Sequence, residues 1–217
     1  MENCTLINDF KYKDFLLALI NGDRRQSYQL VDQYLKEDIS VKKLYEEYIK
    51  ETLYRVGELW EHNKISVATE HLATAITESI LNSLFEKIVS ENRLGKTAIV
   101  ACVENEYHQV GIKMVADIFE MNGWDTHFLG ANVPVEELIK YAKTIEPNIF
   151  ALSLSIYFHL PVLEKMIAKI TEAFPETPVI LGGQAFVHGG KEVIHKFPTI
   201  KFFKNLDEAE SFIKKIS

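Results

Sequence analysis

From about Phe10 to Ser90, apolar residues recur at intervals of three and four, the period of a helix with one buried face. Phe15, Leu16, Leu19 and Ile20 form one stripe, and Tyr28, Val31, Tyr34 and Leu35 a second. A third runs through Leu44, Tyr48, Ile49, Leu53, Val56 and Leu59-Trp60, and a fourth through Leu72, Ala75, Ile76, Ile80, Leu81, Leu84 and Phe85. No proline interrupts them. Polar breaks fall at Asn21-Gly22-Asp23, around Glu37-Asp38-Ile39-Ser40 and at His62-Asn63-Lys64, and Ser40 and Ser66 are suited to cap the helices that follow. Four helices joined by short loops predict an antiparallel four-helix bundle over residues 1–90.

At Thr97 the pattern changes. Short apolar runs at 97–103, 125–129, 148–154, 178–181 and 200–203 read as strands, with helices starting near His108, Val135, Leu160, Gly190 and Asp207. Strands that are apolar throughout and alternate with helices indicate a parallel sheet covered on both faces. Five such units predict an α/β domain over residues 97–217, a flavodoxin-like doubly wound five-stranded parallel sheet with its ligand crevice beyond the strand carboxyl ends. Ser90 to Lys96 reads as the linker between the two domains.

Composition narrows the classes. In 217 residues, 47% are hydrophobic and 25% charged, as in an ordinary globular protein. The formal charge of −7, with no basic cluster, argues against direct binding to nucleic acid. No apolar run approaches membrane-spanning length, and Met1 to Phe10 does not read as a signal peptide. Cys4 and Cys102 make no disulfide framework, so the chain reads as cytoplasmic and reduced.

Candidate chemistry gathers at the predicted crevice. Glu106-Tyr107-His108-Gln109-Val110-Gly111 follows the first strand, and a carboxylate two residues before a histidine can hold one ring nitrogen while the other meets a metal. Ser153-Leu154-Ser155 closes the third strand, and Gly182-Gly183 follows the fourth, where missing Cβ atoms allow a close approach to backbone. A ligand with one metal-binding face and a long tail would use all three loops.

Glu-x-His-x-x-Gly, then Ser-x-Ser, then Gly-Gly at these spacings resembles the cobalamin-binding domain of methionine synthases, corrinoid carrier proteins and cobalamin-dependent mutases, over the whole chain from about Thr97 to Ser217. The resemblance implies His108 as the lower axial cobalt ligand, displacing the cofactor's own base. It implies Glu106 as that histidine's orienting partner, Gly111 as part of the motif, Ser153 with Ser155 at the nucleotide tail, and Gly182 and Gly183 along the tail channel. Two departures stand out: the family's usual aspartate is Glu106, one methylene longer, and its usual serine-x-leucine is Ser153-Leu154-Ser155. In the helical half, Trp60 followed by Glu70-His71 resembles the cap of MerR-type adenosylcobalamin photoreceptor regulators, as do Leu129 to Pro134 and Gly182 to Phe186. That likeness implies Trp60, Glu70 and His71 around a 5′-deoxyadenosyl upper ligand. A second histidine ligand formed in light would follow the tryptophan directly, where this chain has Glu61 and then His62.

The chain begins at the bundle, with no helix-turn-helix segment ahead of it. The expectation is therefore a stand-alone cobalamin sensor, taking adenosylcobalamin and responding to light, that signals through a protein partner or self-association. It is expected to bind neither nucleic acid nor membrane and not to be an enzyme. The alternative is a corrinoid methyl carrier of a methyltransferase system, a class that usually has aspartate directly after the axial histidine, where this chain has Gln109.

Overall fold

A computed structural model describes residues 11–37, 39–187, 189–190, 193, 196–197 and 200–217. The chain divides into two compact units, Met1–Glu86 and Lys87–Ser217.

The first unit is helical. Helix α1 spans Lys13–Ile20 and α2 spans Arg24–Lys36. Helix α3 is one continuous run made of Val41–Lys43, a π-helical stretch Leu44–Ile49, and Lys50–Glu61. Helix α4 spans Val67–Ser83 and a short α5 spans Phe85–Ile88. Helix α1 packs against α2, α3 and α4, so Phe15, Leu16 and Leu19 are fully buried with Ile49, Val56, Ile76 and Ile80. Caps fix the starts: the Ser40 and Ser66 hydroxyls accept from the Lys43 and Thr69 amides, and the Asp23 carboxylate accepts from Gln26.

One helix departs from its expected face. The π-helical stretch adds an extra step to the turn, and beyond it Thr52 takes a fully buried position while Leu53 does not. Trp60 lies 46% exposed, and Leu72 and Phe85 are also exposed rather than in the core.

The second unit is the expected sheet. Strands β1 (Thr97–Cys102), β2 (Asp125–Gly130), β3 (Ile149–Ser153), β4 (Val179–Gly182) and β5 (Ile200–Phe202) are all parallel, in the order β2-β1-β3-β4-β5. Helices α6 (Val110–Met121), α7 (Val135–Ile145), α8 (Leu160–Ala173) and α9 (Leu206–Ile216) cover it. The helix expected from Gly190 falls mostly on residues outside those described. Ile99, Ala101, Phe150, Leu152, Val179 and Leu181 form the core with Leu138, Leu163 and Ile167 on one face. Segment 90–96 is tied to this unit: Ser90 N–H bonds the Glu120 carbonyl, and Arg93 bonds the Glu120 carboxylate and the Trp124 carbonyl. Among the described residues, no helix is long and apolar enough to cross a membrane.

Because β1 and β3 are neighbours whose next strands lie on opposite sides, the order switches there and opens a crevice past their carboxyl ends. The register sets Cys102 opposite Ser153, and Ser153 opposite Gly182. Three loops are thereby brought to one end of the sheet.

Candidate functional site

The loop after β1 is organised by one buried carboxylate. Glu106 is fully buried, and its Oε1 accepts from the Tyr107 amide (2.9 Å), the His108 amide (3.0 Å) and His108 Nδ1 (2.5 Å). Its Oε2 accepts from the amides of Ser155 (2.8 Å) and Ile156 (2.9 Å), beyond β3. Burial pushes this carboxyl up. The His108 ring and the His108, Ile156 and Ser155 amides more than offset that and bring it down to about 2. Helix α6 starts at Val110 rather than near His108, since the amides of 107 and 108 point at this carboxylate instead of into a helical turn.

An ionised carboxylate can only accept, so His108 donates from Nδ1, and in the neutral form of the ring the lone pair then lies on Nε2. The side chain is 60% exposed. Behind it, the buried Cys102 thiol donates to the His108 carbonyl at 3.7 Å. Gly111 lies on the exposed start of α6, where an added Cβ would meet nothing within 4 Å.

The other loops are fastened to this one. Asn132, after β2, donates its amide to the Glu106 carbonyl (2.8 Å), accepts the Asn105 amide on Oδ1 (2.9 Å) and donates from Nδ2 to the Tyr107 hydroxyl (3.1 Å). Gln109 Oε1 accepts from the Ala131 amide at 3.0 Å. Ser153 is nearly buried at the end of β3, with its carbonyl accepting from Val103 N–H. Gly183 has φ +113°, and a Cβ there would stand 2.1 Å from the Leu154 carbonyl oxygen; at Gly182 a Cβ would make only ordinary contact, 3.6 Å from the Phe203 oxygen.

In the helical unit, Glu70 lies in the first turn of α4, accepting from His71 Nδ1 (2.5 Å) and the Thr74 hydroxyl (2.9 Å). Trp60 lies in the last turn of α3, and Nδ1 of the nearby His62 stands 2.7 Å from the Glu58 carbonyl. The geometry therefore joins Glu106, His108, Ser153, Ser155, Gly182 and Gly183 around one end of the sheet, with Gly111 on the helix that follows, and joins Glu70 to His71 in the other unit.

Two matches to the family described as B12 binding domain cover residues 12–84 and 96–201. The chain belongs to the B12-binding family. Among curated relatives of this B12-binding chain, the HTH-type transcriptional repressor CarH of Myxococcus xanthus is 29% identical over 145 residues, 66% of this chain and 48% of that protein. Trimethylamine corrinoid protein 1 of Methanosarcina acetivorans is 24% identical over 141 residues, 63% of this chain and 64% of that one. The B12-binding chain thus spans about half to two thirds of the length of these relatives. The fold is that of the Methanosarcina barkeri monomethylamine corrinoid protein, with a TM-score of 0.80 at 14% identity, covering 95% of this chain and 98% of that chain.

The B12-binding chain's own residues fit a corrinoid. A neutral imidazole fixed through Nδ1 by a carboxylate presents Nε2, the kind of nitrogen donor that cobalt accepts. Open space above Gly111 leaves room for a bulky group there. Sequence reasoning missed the fasteners Asn105, Asn132 and Gln109 and the Ile156 amide. The asparagines do leave a trace, since both have positive φ and asparagine tolerates that conformation in turns.

Proposed function

We propose that this chain is a cobalamin-responsive regulatory protein that takes adenosylcobalamin, with His108 as the lower axial ligand and Trp60, Glu70 and His71 toward the upper ligand. The observation that carries the reading is the exposure of Trp60. A tryptophan at a helix end ordinarily fills a core; here it stands in solvent together with Val67 and Leu72, on the unit where Glu70 is already oriented by His71 and Thr74. Exposed apolar side chains on the same unit as an ordered carboxylate suit a ligand with a flat base and a ribose. Similarity to a transcriptional repressor over 145 residues supports a regulatory role.

Bound adenosylcobalamin supplies a cobalt–carbon bond that visible light cleaves. Loss of the upper group would remove contacts from Trp60. A ligand can shift a conformational equilibrium only through its differential affinity for the two states, and the output of this protein is a change in self-association or partner affinity. The second reading, a corrinoid methyl carrier, has the similarity to trimethylamine corrinoid protein 1 in its favour. Gln109 weighs against it, because the side chain after His108 is neutral and engaged with Ala131.

Absorption spectra of the purified protein with adenosylcobalamin and with methylcobalamin, in darkness and after illumination, test the reading. Size-exclusion chromatography with light scattering accompanies them. The expected result is a histidine-ligated spectrum that His108→Ala abolishes, preference for the adenosyl form, and a dark-to-lit change in mass or in a pulled-down partner. Preference for the methyl form, with identical dark and lit masses and scattering profiles, would replace the sensor with the carrier.

A further inference from the structure

Three tyrosines from separate segments of the helical unit meet in one stack. Tyr48, in the π-helical stretch of α3, pairs with Tyr12, the residue ahead of α1, and with Tyr34 of α2. Its ring centroid stands 3.9 Å from that of Tyr12, at an interplanar angle of 35°, and 4.4 Å from that of Tyr34, at 44°. Phenylalanine rings would pack as well in these places and leave no hydroxyl to satisfy. The phenols add what packing does not need, an electron-rich ring and an O–H bond that can break.

The surroundings favour loss of an electron from this stack. Burial pushes the Tyr34 phenol up to about 12, and Tyr48, Asp14, Glu37 and Tyr12 add to the rise. Carboxylates that oppose a negative charge on a ring favour a positive one there. The face of a neighbouring ring attracts positive charge too, so a ring that has lost an electron is stabilised from both sources. At Tyr12 the conditions differ. Lys11 Nζ lies 4.9 Å from the ring centroid and opposes positive charge on it. Burial also keeps this phenol above its ordinary value, so the hydroxyl holds its proton until the ring is oxidised. That hydroxyl, on a residue only 6% exposed, donates to Glu47 Oε2 at 3.3 Å, which puts a proton acceptor in place. Lys11 at 3.4 Å and Lys43 at 4.0 Å pair with the same carboxylate.

We propose that the Tyr12–Tyr48–Tyr34 stack is a one-electron oxidation site whose substrate is a diffusible one-electron oxidant, an organic radical or an oxidised dye. The oxidant takes one electron from the stack. The Tyr12 O–H bond breaks and its proton passes to Glu47. The products are a neutral Tyr12 phenoxyl radical, a protonated Glu47 carboxyl and the oxidant reduced by one electron. This activity needs no cofactor and does not rest on the cobalt reading.

Flash oxidation of the cofactor-free full chain by photogenerated tris(bipyridine)ruthenium(III), with rapid freezing for EPR, tests the site. The chain has nine tyrosines, so single variants locate the radical. The expected result is a tyrosyl signal most of which Tyr12→Phe removes, while Tyr54→Phe and Tyr107→Phe, at exposed rings, leave it nearly whole. Tyr48→Leu removes both ring pairs and should shorten the radical's lifetime about tenfold. Glu47→Gln should slow its formation by at least about tenfold, since a positioned base contributes at least that much. A signal that follows the exposure of the nine rings overturns the proposal, as does one whose kinetics either Tyr48→Leu or Glu47→Gln leaves unchanged. Should Tyr48→Leu not fold, Tyr12→Phe and Glu47→Gln decide: no change in either overturns the site, and the expected loss in both upholds it.

Discussion

The glycine pair after β4 offers a sharp test, because its two members are expected to differ widely in their tolerance of a side chain. At Gly183, alanine meets two penalties. The backbone φ of +113° is one that L residues rarely adopt, costing about 1–3 kcal/mol. The new Cβ would also stand 2.1 Å from the Leu154 oxygen and 2.7 Å from its carbonyl carbon. Restoring ordinary contact needs a displacement of about 1 Å, which overpacks the loop at a cost of about 1–3 kcal/mol. It also strains the Ala185–Leu154 hydrogen bond. Together, Gly183→Ala should lose about 3–5 kcal/mol, a large fraction of the ~5–15 kcal/mol that holds a typical domain folded. Gly182→Ala, in ordinary contact at 3.6 Å, should lose less than about 1 kcal/mol. Urea unfolding of the cofactor-free protein measures this, read by the fluorescence of the buried Trp124 in a Trp60→Phe background, since the chain has two tryptophans. With slopes of ~1–3 kcal/mol/M, the Gly183→Ala midpoint should fall by at least about 1 M with little change at Gly182→Ala. Equal shifts for the two variants would refute the steric argument and return the pair to a ligand-only role.

Three further outcomes follow from the site. Glu106 has its carboxyl lowered from 4.5 to about 2, so its contribution to stability is complete above pH 4.5 and is lost as pH falls toward 2; it amounts to about 3 kcal/mol, and Glu106→Gln should flatten that part of the stability–pH curve. A curve with the same slope in both proteins would show that this carboxylate does not carry the acid sensitivity. Gly111→Ala should leave cofactor-free stability unchanged or slightly raised, because its Cβ meets open space in a helix, yet should weaken cobalamin binding at least about tenfold through intrusion on the bound group; unaltered titration curves would mean that the corrinoid lies elsewhere. Trp60→Ala should weaken adenosylcobalamin binding while sparing methylcobalamin and thermal stability, as expected for an exposed side chain, and equal loss for both cofactors would assign Trp60 a structural role.

Much of the fold is written plainly in the chain. Strands buried on both faces must be apolar throughout, and Ala98 to Val103 and Ile149 to Leu154 show that directly. Helix starts were legible where a serine caps them, as at Ser40 and Ser66. The π-helical stretch was not, because Leu44, Tyr48, Ile49 and Leu53 satisfy α-helical spacing equally well, and only packing reveals that Thr52 is inside. At the site, the pairing of Glu106 with His108 was readable from a spacing of two. Its second reach, to Ser155 and Ile156, was not, since the partners are backbone amides about fifty positions away that carry no residue signature. Gly183 was readable as a close approach, but the backbone it meets within the protein is that of Leu154.

The π-helical stretch has a bearing on how this family can vary in length. An α-helix turns by about 100° per residue, so a single inserted residue rotates everything downstream by that angle unless a wider turn absorbs it. Leu44–Ile49 is such a turn, and it lets Tyr45 and Ile49 stay buried upstream while Val56 and Leu59 stay buried downstream and Trp60 faces outward. Deleting one residue from it would close the run into regular α-helical turns and leave the upstream and downstream halves on their present buried faces. The wide turn thus lets the helix carry one more residue upstream without turning Trp60 inward.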